Sequence, residues 1–190
     1  LDKSYYGRYA HELSGGQRQR ISIGTALLMD SKLLVADEPV SALDVTVQSQ
    51  ILKLLLDIHK KKNLTILFIS HDLNIVRHIC HRVAVIYLGE IVEMADVREI
   101  YENPCHPYTK RLFAAALSGK ESSVLKMAED NGQDSDPESD RLKGTGPDTG
   151  GCAFAPRCPA RGSQCLKEKP DYVNICKVSG KEHWVRCFNE

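Results

Sequence analysis

Two short apolar runs, KLLVADEP and LTILFIS, flank one long amphipathic segment, and this arrangement constrains the fold more than any other feature of the chain. The first run ends in two carboxylates and Pro39 and reads as a buried strand, Leu33 to Ala36; the second reads as another, Leu64 to Ser70. Between them Val47, Ile51, Leu54, Leu55 and Ile58 recur along one helical face, so a helix is expected from Asp44 to about Lys61. The lysines at 60, 61 and 62 suit the negative end of its dipole. Residues 14–29 also have helical spacing, with Ile21, Ala26, Leu27 and Leu28 as expected buried positions. A short helix follows from Asp72 to Cys80, then VAVIYLGEIVEMA reads as two strands folding back around Gly89, and a helix around HPYTKRLFAAAL closes the region. Strand, helix, strand, helix, strand in that order predicts an α/β fold with a parallel sheet and right-handed crossovers.

The 190 residues suit one domain, or one domain with an appendage, and 42% hydrophobic content is enough for a core. Lys+Arg and Asp+Glu are both 25, which argues against a generic basic face for nucleic acid. No apolar run approaches the roughly eighteen residues that span a bilayer, so a membrane role would go through a partner. The chain opens on Leu1 and shows no signal peptide, so a fragment of a longer protein is expected. From Ser118 to Gly151 Ser, Asp, Glu and Gly dominate, a composition that buries too little surface to offset its ordering entropy; residues 118–151 are expected to be a flexible linker. It divides residues 1–117 from a Cys-rich module, 152–190.

Ser14-Gly15-Gly16-Gln17 places two glycines in the first turn of a helix, where each costs about 1 kcal/mol relative to alanine. Ser14 and Gln17 have the spacing of a capping box, which leaves the glycines unexplained. A helix N-terminus gathers unpaired N–H groups and positive dipole, and bare glycines let a phosphate reach that backbone. LLVADEP fits a Walker B pattern, an apolar strand delivering acids at its carboxyl end, where ligands of open α/β sheets bind. Asp37 is the expected Mg²⁺ residue, acting through water, and Glu38 the residue that aligns and polarises an attacking water. His71 leaves the end of the next strand, the same edge as Glu38, where it is placed to touch a γ-phosphate.

LSGGQ, LLVADEP, SALD and ISHD, in that order over residues 13–72, resemble the signature, Walker B, D-loop and switch histidine of ABC ATPases. EPVSALDVTVQSQIL, AVIYLGEIVE and HPYTKRLFAAAL narrow the likeness to the ATP-binding subunits of bacterial oligopeptide and dipeptide importers. The resemblance implies the C-terminal part of a P-loop nucleotide-binding domain with a small Cys-rich extension. It implies ATP and Mg²⁺ as cofactors and ATP hydrolysis as the activity, with Glu38 and His71 catalytic. Ser14, Gly15, Gly16 and Gln17 would address the γ-phosphate of ATP held by a second, identical or homologous ATPase subunit, and Asp37, Ser41 and Asp44 would also be nucleotide-site residues. The implied partners are membrane permease subunits and, indirectly, a peptide-binding protein, with no nucleic acid; the implied location is peripheral, on the cytoplasmic side of the inner membrane. One departure is large. No stretch matches G-x-x-x-x-G-K-[ST], because Gly119-Lys120 and Gly180-Lys181 are each followed by Glu. A partial copy lacking the phosphate-binding loop is therefore expected, inactive alone.

Five of the seven cysteines crowd the last 39 residues, with five, six, ten and ten residues between them. Zinc ribbons favour two to four between paired ligands, so spacing says only that several thiolates can converge, on a cluster, on zinc or on nothing. Disulfides are disfavoured in a chain that handles ATP in the cytoplasm. The family resemblance implies a four-iron four-sulfur (4Fe–4S) centre on Cys152, Cys158, Cys165 and Cys187, with Cys176 an extra candidate. Two rival functions stand beside the importer: a soluble ABC ATPase acting on nucleic acid or ribosomes, and a non-catalytic Fe–S module.

Overall fold

The computed structural model describes residues 5–29, 31–117, 150–176 and 181–189. The linker expected over 118–151 falls almost wholly outside them. The chain divides into two compact units, Leu1–Ile79 and Cys80–Glu190.

The first unit runs α1 (Gly15–Leu27), β1 (Leu33–Asp37), α2 (Val45–Lys62), β2 (Thr65–Ile69) and α3 (Leu73–Ile79). β1 and β2 pair in parallel, Leu33 opposite Thr65 through Asp37 opposite Ile69, with α2 as the crossover between them. Asp44 caps α2 by accepting the Val47 N–H at 2.9 Å, and Asn63 ends it in the left-handed conformation at φ 48°. Ile23, Leu34, Val40, Ile51, Leu55 and Leu64 form the core, with Val47, Leu54 and Ile58 of α2 packed against it.

Three expectations are corrected here. Neither strand is buried on both faces: Leu34 and Ala36 are inside, but Leu33, Val35, Leu67 and Ile69 are 45–55% exposed. The described helical residues cover one side of this sheet, so alternate side chains on the other face stay open. Ile21 of α1 and Leu28 at its C-cap are exposed while Ile23 is buried, because the helix lays a different stripe against α2. Third, the 82–87 strand does not extend the parallel sheet.

That strand belongs to the second unit, where β3 (Arg82–Tyr87) and β4 (Glu90–Asp96) form an antiparallel hairpin. Its two-residue turn, Leu88 at φ 47° and Gly89 at φ 82°, has the positive dihedrals that match hairpin twist. The helices α4 (Val97–Glu102) and α5 (Pro107–Leu117) follow. The C-terminal segment then supplies β5 (Val173–Asn174) and β6 (His183–Val185), completing a sheet of order β3-β4-β6-β5. The Cys-rich tail is thus integrated with residues 80–117 rather than set apart as a module of its own. Phe154, 3% exposed, packs its ring against Tyr87, Tyr108 and His106 and ties the tail to α5 and the hairpin.

Candidate functional site

In the first unit, parallel pairing sets Asp37 opposite Ile69, and the next backbone N–H, that of Glu38, donates to the Ile69 carbonyl at 3.0 Å. The carboxyl ends of β1 and β2 are therefore in register, and the residues leaving them meet. His71 Nδ1 lies 2.9 Å from Glu38 Oε1. Glu38 sits at φ 41°, a left-handed conformation that a side chain occupies only when its surroundings hold it there. Those surroundings include the Ile69 carbonyl on one side and Ser41 on the other, whose N–H and hydroxyl both donate to the Glu38 carbonyl.

The His71 hydrogen bond lowers the Glu38 pKa below the ordinary 4.5, and the same bond raises His71 above the ordinary 6.5. A carboxylate and an imidazolium are therefore both favoured between those limits. The stabilisation His71 gains is full below its ordinary value and is lost as pH rises through the raised one. For Glu38 it is present above the ordinary value and lost as pH falls through the lowered one. With Nδ1–H committed to Glu38, Nε2 is the ring nitrogen left for another ligand. Asp37 is exposed at the same strand end.

The Ser14–Gln17 turn forms the expected capping box. Ser14 N donates to Gln17 Oε1 at 2.9 Å and Gln17 N to Ser14 Oγ at 3.3 Å. Gln17 Nε2 also donates to the Tyr5 hydroxyl at 3.1 Å, a contact the sequence pattern did not signal. The glycines have an internal use as well. A Cβ on Gly16 would sit 2.4 Å from Val47 Cγ1, and one on Gly15 would sit 3.0 Å from Leu43 Cδ2. Gly16 is buried, so its missing side chain lets α1 close on the start of α2. The structure thus brings the 14–17 turn onto the segment that follows SALD. Ser41 bonds to Glu38, and Asp44 serves as the α2 cap. Sequence places Val47 in the α2 stripe but gives no sign of its approach to Gly16, or of Leu43 to Gly15, because a valine in an amphipathic stripe looks like any other core residue.

In the second unit, no cysteine is in a disulfide. Cys158, Cys165 and Cys152 lie close enough to Cys187 to raise its thiol pKa, after burial, the leading cause; Cys165 and Cys158 act likewise on Cys152. Two backbone N–H groups, of Phe154 and Ala155, point at the Cys152 thiol, and Asn189 N donates to Cys187 Sγ at 3.4 Å. A Cβ on Gly151 would meet the Cys165 carbonyl at 2.8 Å, so that glycine permits the close turn in which Cys152 N donates to the Cys165 carbonyl. The Cys176 N–H donates to Asn174 Oδ1 just beyond β5. Among the described residues no three of the tail thiols lie within 4.8 Å of one another. Four thiolates on one zinc need separations of about 3.8 Å, set by Zn–S bonds of about 2.3 Å.

Residues 1–41 match the ABC transporter family and residues 92–165 the oligopeptide/dipeptide transporter C-terminal region. The oligopeptide transport ATP-binding protein AppF of Bacillus subtilis (strain 168) is 43% identical over 192 residues, covering 98% of this chain and 54% of that protein. The oligopeptide transport ATP-binding protein OppF of the same organism is 53% identical over 115 residues, 60% of this chain and 38% of that protein. A solved ATP-binding cassette of an ABC transporter in its ADP conformation is 28% identical with a TM-score of 0.49, covering 57% of this chain and 43% of that one. The chain belongs to the ATP-binding proteins of ABC transporters. Its curated relatives named above are ATP-binding proteins of oligopeptide transport, and the chain spans about half the length of the curated relatives it matches.

Proposed function

We propose that this chain carries the hydrolytic and signature elements of an ATPase subunit that powers peptide import across a bacterial inner membrane. The observation that carries the reading is the Glu38–His71 contact, which parallel pairing builds at the carboxyl ends of β1 and β2. Glu38 orients a water and accepts its proton as the water attacks the γ-phosphorus and the bond to ADP breaks. His71 fixes the Glu38 rotamer through Nδ1 and offers Nε2 to the γ-phosphate. Asp37 would hold Mg²⁺ through water, and the ion would supply charge neutralisation on the β- and γ-oxygens. Ser14 to Gln17 present their helix N-terminus to ATP on a phosphate-binding loop of a second ATPase subunit. Ser41 and Asp44 act from the D-loop side, Ser41 by steadying Glu38 and Asp44 by holding the start of α2. The subunit works peripherally on the cytoplasmic face, against permease subunits that receive peptide from a binding protein. The test is the ATPase rate of the complete subunit assembled with its permease. Stimulation by peptide-loaded binding protein is the expected result; stimulation by nucleic acid instead would overturn the reading.

The same reading places a 4Fe–4S centre on Cys152, Cys158, Cys165 and Cys187. The support is their mutual proximity and the N–H groups aimed at two of the sulfurs, which stabilise thiolate ligands. The centre would staple a segment with little hydrophobic core of its own. Anaerobically purified protein should be brown, with absorbance that bleaches on reduction. Alanine at any of the four should remove the colour and loosen the second unit, whereas Cys176→Ala should be mild. Colourless, iron-free protein, or a severe Cys176→Ala beside a silent Cys187→Ala, would contradict the assignment.

A further inference from the structure

Beside the tail thiols, of which Cys187 lies close enough to Cys105 to act on it, three chemically different metal donors converge in the second unit. Glu93 Oε, Cys105 Sγ and a ring nitrogen of His183 all lie within 4.8 Å of one another. Each comes from a different element: β4, the loop between α4 and α5, and β6. A β-bulge brings Glu93 inward. The register shifts between Val85 and Ile86, Val92 becomes the extra residue, and Val92 and Glu93 are consecutively buried where strict alternation would turn one of them out. Glu93 is fully buried and His183 is 2% exposed. Sequence spacing gives no hint of this meeting, because Glu93 and His183 are 90 residues apart.

The donors are also oriented from behind. The Glu93 carboxylate is held by the backbone N–H of Cys105 at 2.8 Å and of His106 at 2.9 Å. His183 turns Nε2 to Glu93 at 2.7 Å, and its other nitrogen, Nδ1, faces the Glu99 carboxylate at 3.6 Å. A histidine whose far nitrogen faces a carboxylate while its near one faces anionic donors has the surroundings of a metal-bound imidazole. The donor set selects the ion. Mg²⁺ and Ca²⁺ take oxygen ligands and leave thiol and imidazole unused, whereas sulfur, nitrogen and carboxylate oxygen together suit Zn²⁺. A thiolate and a carboxylate would balance the charge of one divalent ion in this buried place.

We propose that Glu93, Cys105 and His183 form a site for a single zinc-type divalent ion, with a fourth position for water, that ties β6 to β4 and to the loop before α5. The ion replaces the direct Glu93–His183 hydrogen bond by two bonds to metal; Nε2 binds without a proton, and the neutral ring keeps its one proton on Nδ1, facing Glu99. Cys105 gives up its proton to solvent on binding. The site is independent of the nucleotide chemistry proposed above.

Co²⁺ reports on this site because thiolate coordination to it is coloured, and Zn²⁺ then displaces it. The reduced full chain is titrated with Co²⁺, wild type against Cys105→Ser, which keeps the backbone N–H to Glu93. Co²⁺ taken by the tail thiols alone is common to both proteins, and Glu99→Gln, which acts through His183, shows whether the lost equivalent belongs to this site. Wild type should bind one more equivalent than Cys105→Ser, and Glu99→Gln should weaken that equivalent by about 10–100-fold through loss of the partner behind His183. Equal stoichiometry in wild type and Cys105→Ser overturns the proposal. Should the serine variant fail to fold, alkylation of Cys105 in the wild-type chain decides the matter. Protection by Zn²⁺ supports the site, and unchanged alkylation overturns it.

Discussion

Glu38→Gln in the complete ATP-binding subunit should leave ATP binding intact and slow hydrolysis by about 10²–10⁴-fold, the range for loss of a positioned proton acceptor. The amide keeps the volume of the side chain and an oxygen for His71, so the turn after β1 should persist. It has no charge to accept a proton from water, and it removes the hydrogen-bonded carboxylate that raises His71. The variant should therefore accumulate the ATP-bound form. Near wild-type turnover would take Glu38 out of the hydrolytic role.

Gly16→Ala tests the signature turn with an effect whose sign is not obvious. Alanine in a helix gains about 1 kcal/mol over glycine, so on helix propensity alone the substitution would stabilise. Against this stands a Cβ placed 2.4 Å from Val47 Cγ1, closer than any real contact. Val47 is β-branched and sits in the first turn of α2, so it has little rotamer freedom with which to withdraw. Overpacking of this kind costs about 1–3 kcal/mol, and it should win. The subunit should lose stability and the Ser14–Gln17 turn should shift, slowing hydrolysis in the assembled dimer. Val47→Ala in the same protein should restore much of both, because the space it vacates accepts the new methyl. If Gly16 served phosphate approach alone, the second substitution would rescue nothing. Gly15→Ala should be milder, since its neighbour is the flexible end of Leu43.

Much of the first unit was legible because its signals are local. The α2 stripe, its Asp44 cap and the carboxylates ending β1 each depend on residues within one element. The meeting of Glu38 with His71 followed from the parallel order, which carries both to one edge. Burial was misjudged where it depends on layers rather than on the strand itself. An unbroken apolar run such as LLVA looks like a strand covered on both faces, yet Leu33 and Val35 are open. The second unit was harder for a different reason. A tail rich in cysteine and poor in apolar residues reads as a separate module, but β6 finds its partner in β4, about ninety residues earlier. Glu93 was hidden likewise, since only the bulge turns it inward and no residue near it in sequence announces the bulge.

Hydrolysis rates of four versions of the complete subunit test the central claim most directly: wild type, Glu38→Gln, His71→Ala and the double variant. If His71 acts by holding Glu38 and by touching the same γ-phosphate, the two side chains form one device and their losses do not multiply. The double variant should be no slower than the slower single one. A rate lowered by the full product of the two single losses would contradict the account.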